Sequence, residues 1–264
     1  IQIPGARTIY IAMAGPHQIW KYDPVSGEVR AWAGSGYENI LDGDLRDARF
    51  AQPSGLATDG KDLFVADSEV SGVRIITHVN GPATKVGRIV GEGLFEFGDR
   101  DGRGPSQVRL QHCLGLAYGD GRLFIADTYN NKVKACDPAT ATVTTFAGTT
   151  ESGDTDDPPT FYQPGGLSVA ADTLYIADTN NHKIKVIDLK TRIARTLEIP
   201  ALRPPLPLPE RTGRRTMGRG PRPVPLRLRR RSIRHEAGGR SAGRRRAPGF
   251  PGRLPIRGTR GRTS

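Results

Sequence analysis

Two cysteines, Cys113 and Cys136, are all that 264 residues contain. That is too few for a disulfide framework, and no Cys-x-x-Cys or Cys-x-x-x-Cys spacing exists for thiol redox chemistry. Both are expected as buried, unreactive thiols, which points to a reducing compartment, the cytoplasm. Aromatic residues make up 6% of the chain. No apolar run approaches the roughly 20 residues of a membrane helix, so no membrane span is expected, and no secretory segment is visible. Helical apolar periodicity of useful length is missing too. The five histidines, His17, His78, His112, His182 and His235, show no His-x-x-His or His-x-x-Glu spacing, so no metal site is assigned. No nucleophile–base pair or spaced carboxylate pair emerges. Gly98–Gly104 neither follows a parallel strand nor opens a helix, so it is not a nucleotide loop. No catalytic residue and no cofactor are assigned, and the chain as it stands is not expected to be an enzyme.

What the chain has is a repeat. Leu123-Phe-Ile-Ala-Asp-Thr-Tyr-Asn-Asn-Lys-Val-Lys134 returns as Leu174-Tyr-Ile-Ala-Asp-Thr-Asn-Asn-His-Lys-Ile-Lys185. Looser copies are Leu63-Phe-Val-Ala-Asp-Ser-Glu-Val-Ser-Gly-Val-Arg74 and Ile9-Tyr-Ile-Ala-Met-Ala-Gly-Pro-His-Gln-Ile-Trp20. Their alanines, Ala12, Ala66, Ala126 and Ala177, recur every 54, 60 and 51 residues. A near-fixed period of this size marks units that bury their apolar faces against neighbours. A Gly-Leu-small step (Gly55, Gly115, Gly166) opens a unit, followed by a polar turn and an apolar run ending in Ala-Asp. An Asn-rich turn (Asn131, Asn181) then leads to an alternating stretch such as Lys132–Asp137 and a last β-branched stretch such as Thr142–Ala147. Short β-branched and aromatic runs between Gly, Asp and Asn read as strands joined by tight turns. Four such strands per unit describe a β-propeller blade. The run before Ala-Asp is expected as an inner strand buried on both faces, and the Lys-x-Lys stretch as a strand nearer the rim with one wet face. Asp67, Asp127 and Asp178 are expected to hydrogen-bond nearby turn amides rather than to do chemistry, since a feature of every blade more often builds the blade.

These motifs resemble the NHL-repeat family, whose units carry Gly-Leu-Ala…Leu-Tyr-Val-Ala-Asp-Thr-x-Asn-x-Arg-Ile and form propellers, commonly six-bladed. The resemblance covers about residues 1 to 200, in units at 1–34, 50–91, 110–148 and 161–199. It implies about three complete blades plus part of another. Long Asp/Gly connectors between units are similar to those of family members in which a thioredoxin-like domain precedes the propeller. The resemblance therefore implies a non-catalytic protein- or ligand-binding or scaffolding module within a larger protein. In its alternative form, the chain belongs to a thiol–disulfide oxidoreductase whose catalytic domain lies elsewhere. The connector carboxylates Asp42, Asp44, Asp99, Asp101, Asp154 and Asp156 are the candidate ligand-face groups, on loops that cluster at one propeller face. They lack the twelve-position loop and closing bidentate Glu of a calcium site. The partner is expected to be a protein or small molecule seated on a propeller face. A propeller short of blades leaves sheet faces and edges exposed, so residues 1–200 are expected to be marginal unless they pair with another copy.

After Pro200 the composition changes. Residues 201–264 hold nineteen Arg, no Lys and two acids, a net +17, which leaves −5 for residues 1–200 from the total of +12. Proline and glycine throughout, with no apolar period, predict a disordered tail. An Arg-rich arm of this kind binds phosphates without sequence preference, so nucleic acid is a partner only through this segment. Base-stacking aromatics are nearly missing from it, with Phe250 alone. Arg, Pro, Gly, Ala and Ser starting abruptly where a further blade is due fit out-of-frame translation better than a selected arm.

Overall fold

The computed structural model describes residues 1–199. The expectations for residues 201–264, disorder, nucleic-acid binding and out-of-frame origin, lie outside the described residues. The four repeats fold into four small antiparallel sheets in a propeller arrangement, with almost no helix.

Blade I is β1 (Ile9–Met13), β2 (Gln18–Tyr22) and β3 (Val29–Ala33). Blade II starts in the connector with β4 (Gly43–Asp44) and continues through β5 (Pro53–Thr58), β6 (Leu63–Asp67), β7 (Gly72–Thr77) and β8 (Lys85–Val90). Blade III comprises β9 (Gly102–Arg103), β10 (Leu116–Gly119), β11 (Arg122–Asp127), β12 (Lys132–Asp137) and β13 (Thr142–Gly148). A four-residue helix, α1 (Gly104–Gln107), follows β9. Blade IV is β14 (Pro164–Ala170), β15 (Thr173–Asp178), β16 (Lys183–Asp188) and β17 (Ala194–Thr196).

Local chemistry explains the meander. Between β10 and β11 the two-residue loop Asp120-Gly121 has φ of 53° and 69°. That is the Asp-Gly hairpin whose left-handed pair matches the strand twist. After β11 and β15 the Thr-x-Asn turn closes as a single 3₁₀ turn capped by Asn131 and His182, at φ 55° and 54°.

Two expectations need correction. The run before Ala-Asp is an inner strand, as expected, though not the innermost. The Gly-Leu strands β5, β10 and β14 are innermost, and they pack against one another around the axis. β6 is buried throughout and β11 from Leu123 onward, because blades cover both their faces, whereas β15 alternates. Nor does each blade stop at four strands. The connectors add β4 and β9 as fifth, outermost strands that pair with β8 and β13. Finally, the second lysine of each Lys-x-Lys is not wet, since Lys134 and Lys185 are fully buried.

The core lies between blades. Tyr10 and Ile19 of blade I meet Leu63, Val65 and Ile76 of blade II. Phe64 and Val73 meet Leu123, Ile125 and Cys136 of blade III, and Phe124 and Val133 meet Leu174, Ile176 and Ile187 of blade IV. The inner glycines permit this approach. A Cβ on Gly55 would stand 2.5 Å from the Leu114 carbonyl oxygen, and one on Gly115 would stand 2.3 Å from that of Gly165.

Candidate functional site

The connectors carry the candidate carboxylates along the outer strands of blades II to IV, and Asp44, paired with Lys85, lies at the end of blade II opposite Asp67. Blades II, III and IV each combine a strand-end Asp, a buried cation and a connector, whereas blade I has Met13 and Trp20 at the first two places. Asp67, Asp127 and Asp178 end the second strand and are fully buried. Each accepts a hydrogen bond from a connector amide sixteen residues earlier: Ala51 at 2.6 Å, Gln111 at 2.6 Å and Tyr162 at 2.7 Å. The carboxylate therefore staples the start of its own blade rather than the amides of the turn after it. Its other oxygen takes the side-chain amide of Asn130 or Asn181 at 2.8 Å, and in blade II the Arg74 guanidinium at 3.2 Å. Burial pushes the Asp127 carboxyl up to about 7, against the hydrogen bonds from Asn130 and Gln111. Asp67 rises to about 6 for the same reason, opposed by the Arg74 charge.

The cation comes from the third strand. Arg74 donates to the carbonyls of Leu41 and Arg49 at 2.9 and 2.7 Å and to Asp42 at 2.7 Å, which also holds Arg88 at 2.7 Å. Lys134 donates to Asp99 at 2.6 Å, Asp101 at 2.8 Å and the Thr145 hydroxyl at 3.0 Å. Lys185 donates to Asp156 at 2.9 Å and the Thr155 carbonyl at 2.8 Å, with Asp154 at 3.5 Å. Lys132 and Lys183 complete the groups on Asp99 and Asp154. The amides of Thr145 and Thr196 hold Asp101 and Asp156 at 2.7 and 2.9 Å. A buried charge needs partners and hydrogen bonds. These connectors supply them, so five of the six candidate carboxylates face inward onto the chain's own cations. Asp44 alone stays mostly exposed, 3.7 Å from Lys85. Despite some burial, Asp99, Asp101, Asp154 and Asp156 are held below the usual carboxylate range by Lys132, Lys134, Lys183 and Lys185 and by the threonine amides.

Asn131 and Asn181 turn out to occupy different places in the turn. Asn181 matches Asn130 and binds the blade's Asp, whereas Asn131 matches His182 and reaches the next blade. Its Oδ1 accepts the Gln163 amide at 2.9 Å. The same latch joins His17 Nδ1 to the Gln52 amide at 3.2 Å and the Ser71 hydroxyl to the His112 amide at 3.0 Å. Gln52, His112 and Gln163 all have positive φ, between 52° and 60°. Sequence reasoning missed both the buried cations and the latch.

The connectors also leave aromatic side chains in solvent, alongside exposed acids such as Asp44, Asp47 and Glu96. Phe95, Tyr37 and Phe97 are 84%, 70% and 58% exposed. Beside them Leu94 packs on Ile40 and Val70, and Tyr129 stacks on His112 with centroids 4.7 Å apart. Among the described residues no group of His, Cys, Asp and Glu is arranged to hold a metal. No helix there is long and apolar enough to cross a membrane. Both thiols are free and buried; burial pushes Cys136 up to about 12 and Cys113 higher.

Comparison with known proteins agrees with this architecture. The NHL repeat family matches at residues 161–187. Human NHL repeat-containing protein 2 is 42% identical over 222 residues, covering 72% of this chain and 30% of that protein. Protein SUPPRESSOR OF QUENCHING 1, chloroplastic, of Arabidopsis thaliana is 40% identical over 218 residues, covering 77% of this chain and 21% of that protein. The chain thus spans a fifth to a third of the length of these relatives. An auxiliary nutrient binding protein from Bacteroides ovatus shares the fold at 16% identity, with a TM-score of 0.54 over 74% of this chain and 47% of that one. The repeated Gly-Leu and Ala-Asp motifs, the four-sheet arrangement and these relatives converge: the chain is built of NHL repeats folded as β-propeller blades, similar to those of NHL repeat-containing protein 2.

Proposed function

We propose that the chain is a non-catalytic protein- or ligand-binding module, part of a longer protein, that works through its connector face. One observation carries this reading: the carboxylates and cations that could do chemistry there are spent on one another, while exposed aromatics project from the same loops. Exposed aromatics such as Tyr37, Phe95 and Phe97 are the kind of surface that marks protein contact sites. Any thiol–disulfide chemistry would sit in a thioredoxin-like domain of that longer protein, as the family resemblance implies. This chain would then position the substrate, because Cys113 and Cys136 are shut inside blade interfaces. A reducing compartment, the cytoplasm among them, fits two free thiols, and the plant relative carries the word chloroplastic in its name. The test is quantitative crosslinking in cell extract with the wild type and Phe95→Asp/Phe97→Asp. Binding through this face predicts crosslinks from the connectors that the double variant loses. Equal capture by both, or substrate turnover by the isolated chain, would count against it.

A further inference from the structure

Blades III and IV also meet at the end of β11 away from Asp127, where the strand begins at Arg122. A cavity of about 290 Å³ opens there, and Arg122, Asp137, Thr144, Phe146 and Arg192 are among the residues that line it. Its floor is aromatic. Phe124 and Phe146 meet edge to face with centroids 4.9 Å apart, and each carries a guanidinium. Arg122 lies 5.9 Å from the Phe124 centroid and Arg192 lies 3.5 Å from that of Phe146. Arg192 gives one hydrogen bond to the Phe146 carbonyl, at 2.7 Å, and has no carboxylate partner among the described residues. Partial burial, and then the charge of Arg122, push its guanidinium below the ordinary value, so an anion between the two would relieve both. Arg122 pairs with Asp120 at the solvent-exposed rim, and exposed pairs of this kind are weak. The carboxylate in the lining, Asp137, is turned onto its own loop, accepting from the Ala139 amide at 2.9 Å and the Thr140 hydroxyl at 2.8 Å. Thr144 is exposed on the wall, with no hydroxyl partner among the described residues.

The fold does not ask for these arginines. The same place between blades II and III holds Asp62 where blade III has Arg122, and Ala141 where blade IV has Arg192. Ala141 and Arg192 share a positive φ, of 54° and 67°. That groove, of about 240 Å³, is lined by Asp59, Asp62, Tyr118 and Asp137 among others. One architecture thus carries an acidic groove at one interface and a two-arginine groove at the next. We propose that the cavity between blades III and IV binds a small phosphomonoester, its phosphate held by Arg122, Arg192 and the Thr144 hydroxyl. Two cations and a neutral donor match a dianion with three terminal oxygens, whereas the fork of a single guanidinium already satisfies a carboxylate. The volume falls at the small end of small-molecule sites, which suits a compact ligand rather than a chain. This site shares no residue with the exposed aromatics of the connectors.

Titration of the full chain with glycerol phosphate, followed by amide-resolved NMR at a constant ionic strength of about 0.15 M, tests this. Residue-by-residue shifts are needed because the nineteen arginines of residues 201–264 attract phosphate as well. Saturable shifts are expected at the amides of Thr144, Phe146 and Arg192. Arg122→Gln and Arg192→Gln each remove a charge-assisted hydrogen bond and are expected to weaken binding roughly tenfold or more. Thr144→Val is expected to weaken it less, and Arg30→Gln, at the exposed pair with Glu28, to leave it unchanged. Should Arg192→Gln fail to fold for want of its bond to Phe146, the rim variants Arg122→Gln and Thr144→Val carry the test. Acetate at matched ionic strength is expected to give no saturable shift, and a phosphoserine peptide to bind no more tightly than glycerol phosphate. Shifts confined to residues 201–264, equal binding of acetate, or full binding by the Arg122 variant would overturn the proposal. Tighter binding of the peptide would overturn its assignment to a small molecule.

Discussion

Replacing Lys134 with methionine removes a cation that is 1% exposed while keeping most of its apolar stem. Three acceptors lose their donor: Asp99, Asp101 and the Thr145 hydroxyl. Breaking one side of a buried ion pair costs about 3–5 kcal/mol when the orphaned charge stays buried. Here the orphans are better off, since Asp99 keeps Lys132 and Asp101 is 41% exposed with the Thr145 amide still bound. The loss should therefore fall at or below the bottom of that range, about 2–3 kcal/mol, or roughly 5–10 °C in Tm for a domain of this size. Because the cation is buried, about 1 M NaCl should change that difference by only a few tenths of a kcal/mol. Thermal and urea unfolding followed by circular dichroism read both numbers. Lys85→Met, at the exposed pair with Asp44, is the control and should change stability by less than about 0.5 kcal/mol. If the two variants behave alike, or salt abolishes the Lys134 effect, the reasoning that connectors exist to neutralise buried cations is wrong.

Other outcomes follow from the same geometry. Gly115→Ala should cost about 2–3 kcal/mol, because its Cβ would stand 2.3 Å from a backbone oxygen, whereas Gly166→Ala should be near neutral in urea unfolding. Stability should pass through a maximum in mildly acidic solution. Asp67 and Asp127 are raised to about 6 and 7, so their contribution is fully present below the ordinary carboxylate range and lost as pH rises through 6 to 7. Asp99, Asp101, Asp154 and Asp156 are lowered, so theirs is present above that range and lost on acidification below it. Tm measured from pH 3 to 8 that climbs without a turn would contradict this. Cys113 and Cys136 should resist a thiol reagent in the native chain and react only at the rate of unfolding, which a colorimetric thiol titration checks.

The blades were legible because their signals are local. Apolar runs ending in Ala-Asp, Asn-rich turns and an Asp-Gly hairpin each lie within a dozen residues, and strands and turns are decided at that range. The cation clamp was not. Lys134 and Lys185 alternate with apolar neighbours as residues on a wet face do, and the carboxylates that bury them lie 29 to 35 residues earlier in loops. β4 and β9 escaped notice because two-residue strands beginning with glycine carry no β-propensity signal. The latch has half a signature, a His, Ser or Asn at the capping place. Its donor is a backbone amide that leaves no trace in the side chain. Asp67, Asp127 and Asp178 stood out because they end a strand in register, yet their hydrogen-bond partner is a connector sixteen residues back, which only the folded blade reveals.

The central claim is that the connector is fastened to each of blades II, III and IV, and each blade to the next, by side chains reaching single loop amides. Native-state hydrogen exchange by NMR addresses it directly at six amides: Ala51, Gln111 and Tyr162, held by the buried Asp residues, and Gln52, His112 and Gln163, held by the latches. All six lie outside the regular ladder interiors, where free loop amides exchange with little protection. The account predicts protection comparable to β6 and β11 at the three Asp-held amides and clear, lesser protection at the three latched ones. Exchange of all six at unprotected loop rates would contradict it.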